Sequence, residues 1–131
     1  MPRILIIEDD PDLAEFMAIT LRTAGHEVRL AADGAEGLRA LREAVFDLLI
    51  IDIMLPDIVG LSLCERVRES TPVGLHAPAI MMSSACDEAD ARPLALAAGA
   101  DAFIAKPFSP YQLLLRVHSL LGRSSAQTLA S

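Results

Sequence analysis

Apolar runs of strand length alternate along the chain with segments in which apolar residues recur at helical spacing. The runs occupy residues 4–7, 27–30, 48–51, 79–82 and 101–105. Such alternation is typical of βαβ units, which build a parallel sheet with helices on its faces. The run at 27–30 alternates polar and apolar residues and predicts a less buried edge strand, whereas the run at 48–51 is wholly apolar, as in a strand buried on both faces. The pattern therefore predicts an α/β fold of the (βα)5 type, with a doubly wound five-stranded parallel sheet.

Capping residues predict where the intervening helices begin and end. Asp10 stands at an N-cap position with Pro11 after it at N1, and Gly25 ends the helix that they open. Asp33 and Glu36 form a capping-box pair at the start of the second helix. The residues predicted on the inner faces of the second, third and last helices are Leu38, Leu41 and Val45; Gly60, Leu63, Cys64 and Val67; and Leu113, Leu114, Val117, Leu120 and Leu121.

The segments around the fourth strand are less regular. A loop is predicted over residues 71–77, and a fourth helix lies between residues 87 and 98. Because proline removes a backbone hydrogen bond inside a helix, Pro93 predicts that this helix starts late or is irregular.

The end of the chain contains one more helix. It is capped by Ser109, Pro110 and Gln112. Gly122 is predicted to end it, and the polar residues that follow have little to bury. We therefore expect one domain over residues 1–122 and a polar C-terminal tail over residues 123–131.

Composition narrows the class of protein. With 53% hydrophobic and 4% aromatic residues in 131, the core is aliphatic, and the net charge of −7 argues against a general nucleic-acid surface. Cys64 and Cys86 lack the CxxC spacing of a metal or redox site and are expected to be reduced thiols. The apolar runs are too short to span a membrane, and we see no secretory signal. These observations predict a small, soluble, acidic and cytoplasmic domain.

Polar residues follow four of the predicted strands where each strand ends. They are Glu8 and Asp9, Asp52, Ser83 and Lys106. The carboxyl ends of parallel strands share one edge of the sheet, so these side chains are expected to converge there. Clustered carboxylates repel each other unless a cation neutralises them, and oxygen ligands of this kind suit Mg²⁺. A metal, a carboxylate nucleophile, a hydroxyl and an ammonium together indicate phosphoryl transfer, with Asp52 as the nucleophile.

In these features the chain resembles the receiver domain of response regulators in two-component signalling, over roughly residues 3–122. The segment Ile4-Leu5-Ile6-Ile7-Glu8-Asp9-Asp10-Pro11 is similar to the acidic opening of the family, and Asp52-Ile53-Met54-Leu55-Pro56 with Gly60 is similar to its phospho-acceptor segment. Ser83 stands where the family has Thr or Ser, Phe103 where it has an aromatic residue, and Lys106-Pro107 where it has an invariant pair. The resemblance implies a flavodoxin-like sheet with strand order 2-1-3-4-5.

The resemblance also implies a role for each site residue. Asp52 is the phospho-acceptor; Asp9, Asp52 and the backbone carbonyl of Met54 ligate Mg²⁺, with Glu8 acting through water. Lys106 holds a phosphoryl oxygen, and Ser83 hydrogen-bonds it once Asp52 is modified. The Lys106–Pro107 peptide bond is expected to be cis. Ser83 moving inward is expected to let Phe103 rotate inward and reshape the surface formed by helix 4, strand 5 and helix 5.

The function that follows is a phosphoryl-accepting signalling switch, which is not an enzyme beyond catalysing its own phosphorylation and dephosphorylation. Its expected partners are a sensor histidine kinase or histidine phosphotransfer protein, and an output domain or protein that docks on the helix 4–strand 5–helix 5 face. No direct contact with nucleic acid or membrane is expected.

Other functions stay open. The first is a decoy receiver that binds partners without being phosphorylated. The second is a phosphatase of the haloacid-dehalogenase kind, which needs a second acid at the position that Met54 occupies. A flavin-binding module shares the sheet order, but the acidic loop after the first strand would repel the cofactor phosphate. Asp57 is interpreted as a turn acid beside the pocket, and burial in the core is the default for Phe103.

Overall fold

The computed structural model of the protein describes residues 1–71 and 77–130, and for residues 123–130 it describes the backbone. Over these residues strands and helices alternate without exception, as the hydrophobic pattern predicts. The elements are β1 Arg3–Ile7, α1 Pro11–Thr23, β2 Glu27–Ala31, α2 Gly34–Glu43, β3 Leu48–Asp52, α3 Gly60–Ser70, β4 Ala79–Ser84, α4 Glu88–Ala97, β5 Ala102–Ala105 and α5 Pro110–Ala130.

The five strands form one parallel sheet in the order β2-β1-β3-β4-β5, which confirms the predicted flavodoxin-like fold. The edge strand β2 is largely exposed, as its alternating sequence predicts, and every residue of β3 is buried. Because β1 and β3 are neighbours in the sheet, the acidic residues that end them are brought to adjacent positions on one edge.

Two hydrophobic clusters hold the helices on opposite faces of the sheet. Residues of α1 and α5 pack on one face, against side chains such as Ile6 and Ile50. Residues of α2, α3 and α4 pack on the other, against side chains such as Leu5 and Ile51. Alternate residues of each strand point to opposite faces, which is why a wholly apolar strand serves both clusters.

The predicted helix caps are confirmed. Asp10 accepts hydrogen bonds from the amides of Asp12 and Leu13 at the start of α1. Asp33 accepts from the amide of Glu36 at the start of α2. Ser109 and Gln112 accept from each other's amides at the start of α5. Asp10, Asp33 and Ser109 are therefore occupied in starting helices rather than in the acidic edge itself.

The predicted inner face of α2 is partly wrong. Leu38 and Leu41 pack against the core, but Val45 is 72% exposed. The helix ends at Glu43, and the following residue has an extended backbone, so the helical spacing no longer applies to Val45 and Phe46 is buried instead.

Pro93 does not delay α4, contrary to expectation. The helix begins at Glu88, with the side chain of Asp87 accepting a hydrogen bond from the amide of Ala89. Pro93 and the residue one turn before it, Ala89, are both exposed, so the carbonyl that loses its donor faces the solvent side of the helix. The lost hydrogen bond is therefore tolerated inside a helix of ten residues.

The last helix does not end at Gly122 but continues to Ala130. A glycine disfavours a helix interior by only about 1 kcal/mol, and no proline follows it to stop the helix. The division into a domain over residues 1–122 and a tail over 123–131 stays a prediction, and most of the predicted loop at 71–77 lies outside the described residues.

Cys64 is buried and Cys86 is exposed, and both are free thiols. Over the described ranges, no helix combines the length and the apolar character that crossing a membrane requires.

Candidate functional site

Three carboxylates converge at the carboxyl ends of the neighbouring strands β1 and β3. Oxygen atoms of Glu8, Asp9 and Asp52 all lie within 4.8 Å of one another. Glu8 is 3% exposed and Asp52 is 4% exposed, whereas Asp9 faces solvent. Burying two acids side by side is costly without a positive partner, so the arrangement requires one.

That partner is Lys106, which reaches the acids from the end of β5. Its Nζ lies 2.7 Å from Oε1 of Glu8 and 3.1 Å from Oδ2 of Asp52, to which it donates a hydrogen bond. The Lys106–Pro107 peptide bond is cis, and the amide of Lys106 donates to the carbonyl of Ser84 on the neighbouring strand. Burial by itself would lower the pKa of Lys106, but the contacts with Glu8 and Asp52 outweigh it and raise the pKa. The lysine is therefore a fixed positive charge in the site.

Burial strongly affects the protonation of Glu8. The pKa of Glu8 is raised from 4.5 to about 7, mainly by burial and to a smaller extent by the nearby charge of Asp52. The ammonium of Lys106 and a hydrogen bond from the amide of Asp10 to Oε2 act in the opposite direction. Near neutral pH, Glu8 is thus poised between its neutral and charged forms.

Both oxygens of the Asp52 carboxylate have donors. The amide of Met54 donates to Oδ1 at 3.1 Å, and Lys106 donates to Oδ2. Ser83 lies opposite Asp52 in the register of β3 and β4 and is 1% exposed. The predicted acceptor, lysine and serine are therefore brought together by neighbouring strands of one sheet.

Phe103 lies one strand further on and is buried, as the default for phenylalanine predicts. It pairs with Met82 in the register of β4 and β5 and is 1% exposed, in the core beneath α3 and α4. An inward rotation of the ring would need an exposed starting position, and the ring is already buried in this structure.

The carboxylate cluster suits a divalent cation. Carboxylate oxygens are the ligands that hard cations such as Mg²⁺ prefer, and three carboxylates face one lysine here. Met54 follows two residues after Asp52, and its backbone pairs with Val59 in an isolated antiparallel bridge. The residues present therefore fit a cation at this edge.

Sequence reasoning missed the role of Asp57, which is more than a turn acid. Its Oδ1 accepts a hydrogen bond from the amide of Gly34 at 2.8 Å, and its Oδ2 accepts from the amide of Ala35 at 2.9 Å. The Gly34 amide, with that of Ala35, holds the pKa of Asp57 below its ordinary value. The only sequence signal was an acid in a loop at the edge where helices begin, and it did not identify the partner.

Comparison with known proteins gives consistent matches over nearly the whole chain. The sequence profile of the response regulator receiver domain matches residues 4–118. The chain is similar to the DNA-binding response regulator MtrA of Mycolicibacterium smegmatis, with 38% identity over 122 residues, and to the transcriptional regulatory protein GltR of Pseudomonas aeruginosa, with 41% over 121 residues. The alignments cover 93% and 92% of this chain but 51% and 49% of the two relatives. The chain thus spans about half the length of these curated relatives.

Solved structures of receiver domains are similar to this chain over nearly its whole length. A CheY-like receiver domain protein of Methanospirillum hungatei superposes with a TM-score of 0.88 at 31% identity, covering 97% of this chain and 98% of its own. The chemotaxis response regulator CheY4 of Vibrio cholerae superposes with a TM-score of 0.84 at 29% identity, covering 92% of this chain and 98% of its own.

Proposed function

The chain belongs to the response regulator receiver domain family, and from this premise we propose that Asp52 is the phosphoryl acceptor of its signalling switch. The observation that carries the proposal is the position of Lys106, whose ammonium bridges the buried carboxylates of Glu8 and Asp52 beside Ser83. A purely structural role does not explain why two buried acids and a lysine from different strands meet at one edge, because burying ionised groups generally costs more than burying apolar ones.

The proposed reaction is transfer of a phosphoryl group from a phosphohistidine to Asp52. A carboxylate oxygen of Asp52 forms a bond to phosphorus as the bond from phosphorus to the histidine nitrogen breaks, and the imidazole leaves with that electron pair. The ammonium of Lys106 already touches Asp52, and it stabilises the negative charge on the phosphoryl oxygens during transfer. Hydrolysis of the aspartyl phosphate by water returns the carboxylate and resets the switch.

Mg²⁺ is the cation that we propose for the carboxylate cluster. Asp9, Asp52 and the backbone carbonyl of Met54 would hold it directly, with Glu8 acting through water. When bound, the ion supplies positive charge for the phosphoryl oxygens. The chain's own part is to keep these oxygen atoms on one side of Asp52 and the ammonium of Lys106 within reach of them.

The change that signals phosphorylation is proposed to begin at Ser83. Ser83 is buried and lies opposite Asp52 in the register of β3 and β4, so its hydroxyl is proposed to bind a phosphoryl group attached to Asp52. Because Phe103 already fills the core, movement of Ser83 would be transmitted through β4 and the loop after it rather than by inward rotation of the ring. The surface formed by α4, β5 and α5 is the proposed output face.

The proposed partners are a sensor histidine kinase or histidine phosphotransfer protein as donor, and an output domain or protein as receiver of the signal. The relatives MtrA and GltR carry the names of DNA-binding and transcriptional regulators, and this chain spans about half of each. A regulatory output reached through the α4–β5–α5 face is therefore the proposal for this chain as well.

The test is phosphorylation by acetyl phosphate with and without Mg²⁺, followed by intact mass. We expect a Mg²⁺-dependent gain of one phosphoryl group in the wild type and in the control Asp90→Asn, an exposed acid on α4. We expect none in Asp52→Asn. Modification that persists in Asp52→Asn would refute Asp52 as acceptor. A wild-type protein that shows neither modification nor an NMR shift on adding beryllofluoride would instead favour the decoy receiver.

A further inference from the structure

Asp57 joins two parts of the chain that are far apart in sequence. Each of its carboxylate oxygens accepts a hydrogen bond from one of the first two amides of α2, those of Gly34 and Ala35. This helix already has its own N-cap, because Asp33 accepts from the amide of Glu36. The contact with Asp57 is therefore not needed to begin α2. It joins the loop that carries Asp57 to the N-terminus of this helix.

That loop connects β3 to α3 and contains Met54. Its two ends are held together by the bridge between Met54 and Val59, and the amide of Gly60 donates to the carbonyl of Ile53 at 2.7 Å. These contacts close the loop on itself, and the amide of Ile53 at its start donates to the carbonyl of Ser83 on β4. Among the described residues, the side-chain hydrogen bonds that join the loop to a different helix are those of Asp57.

The first residue of α2 leaves room for close packing of the loop. Gly34 has no side chain, and a Cβ atom there would overlap Cγ2 of Ile58 and lie 3.2 Å from Oδ1 of Asp57. Ile58 packs against the core cluster beneath α2 and α3. The positive end of the helix dipole also favours a carboxylate at this position. Charge and close packing thus hold the same segment of the loop.

We infer that Asp57 is a positioning residue, which fixes the β3–α3 loop on the N-terminus of α2 and so places the backbone carbonyl of Met54 for the divalent cation. The inference rests on the proposed function, because it assumes a cation at Glu8, Asp9 and Asp52. Residues that orient metal ligands without touching the metal typically change its affinity by about 10- to 100-fold when they are replaced.

The test compares Asp57→Ala with Asp33→Ala. Both remove an acid from the N-terminus of α2, but only the first releases the loop. We expect the dissociation constant for Mg²⁺, measured by NMR titration of backbone amides, to rise about tenfold in Asp57→Ala and to stay at the wild-type value in Asp33→Ala. In acetyl phosphate assays, Asp57→Ala should shift the half-saturating Mg²⁺ concentration by the same factor and leave the rate at saturating Mg²⁺ unchanged.

Two further variants keep the test decisive. Asp57→Asn retains one acceptor oxygen and should give an intermediate Mg²⁺ affinity. Gly34→Ala leaves Asp57 intact but pushes Ile58 away, and should weaken Mg²⁺ binding as Asp57→Ala does. Equal Mg²⁺ affinity in all variants and the wild type would overturn the positioning role while leaving the proposed function standing. Failure of the wild type itself to bind Mg²⁺ would overturn both.

Discussion

Gly60 is the residue at which the structure predicts the largest effect from the smallest change. It begins α3 directly over the end of β3, and its amide donates to the carbonyl of Ile53. A Cβ atom at Gly60 would overlap the carbonyl oxygen of Asp52 and lie 2.7 Å from Cα of Ile53 and 2.9 Å from the carbonyl carbon of Asp52. All three obstacles are backbone atoms, so no change of rotamer can relieve the overlap.

The cost of Gly60→Ala follows from that geometry. Comfortable contact between carbon atoms requires about 3.5–4.0 Å, so α3 and the end of β3 must separate by roughly 1 Å. Overpacking of this kind costs about 1–3 kcal/mol of the free energy of unfolding. Because the obstacles at Gly60 are backbone atoms, we expect a loss of about 3 kcal/mol there. For a domain of this size, we expect Tm to fall by roughly 10 °C. The same displacement moves Asp52, and a shift of about 1 Å in a reacting group can reduce the rate by about 100-fold.

The matched control is Gly122→Ala, where a Cβ atom would meet no atom of the described residues within 4 Å. This change should be neutral or stabilise α5 by up to about 1 kcal/mol, because alanine favours a helix. Urea unfolding gives the free energies, and acetyl phosphate labelling gives the rates. A Gly60→Ala protein with wild-type stability and wild-type labelling would refute the reasoning, because it would mean that the helix and the strand do not approach each other as closely as described.

Two further predictions concern charge and connectivity. Because the pKa of Glu8 is raised to about 7, its contribution to the stability of the metal-free protein is fully present below its ordinary pKa of 4.5 and is lost as the pH rises through about 7. Glu8→Gln should abolish this loss, which urea unfolding across the same pH range would measure. Arg68 donates to the carbonyls of Gly99 and Pro78 and to Asp101, so Arg68→Ala should lower the free energy of unfolding by about 2 kcal/mol, and Arg68→Lys, which lacks the fork of donors, should recover only part of it.

The parts of the fold that could be predicted from the sequence are those set by local patterns. The run Leu48–Asp52 is apolar because both faces of β3 are covered, and that burial is visible in the sequence as a lack of alternation. Asp10, Asp33 and Ser109 cap helices through contacts within three residues, which is why their roles could be predicted. The convergence of the acidic residues on one edge could also be predicted, because it depends only on where neighbouring parallel strands end.

Contacts between distant segments could not be predicted from local sequence patterns. Asp57 binds amides more than twenty residues away, and no local pattern distinguishes that partner from water. Val45 fits the helical spacing of α2, yet the helix ends before it and Phe46 occupies the core instead. The burial of Phe103 agrees with the default for phenylalanine, but its neighbours in α3 and α4 are distant in sequence and could not be predicted. In each case the outcome is decided by which surfaces meet in the folded chain.

Glu8 links the stability of the metal-free site to its affinity for metal. With Glu8, Asp9 and Asp52 all ionised, Lys106 leaves two negative charges uncompensated, and burial makes the charge on Glu8 costly. A proton on Glu8 removes one of these charges near neutral pH, whereas a divalent cation can remove both. Proton and metal therefore compete, so Mg²⁺ affinity should rise as the pH increases through about 7. Because glutamine cannot be deprotonated, Glu8→Gln should make the affinity independent of pH in this range. Calorimetric titrations of the two proteins across this pH range, with equal slopes in both, would contradict this account of the site.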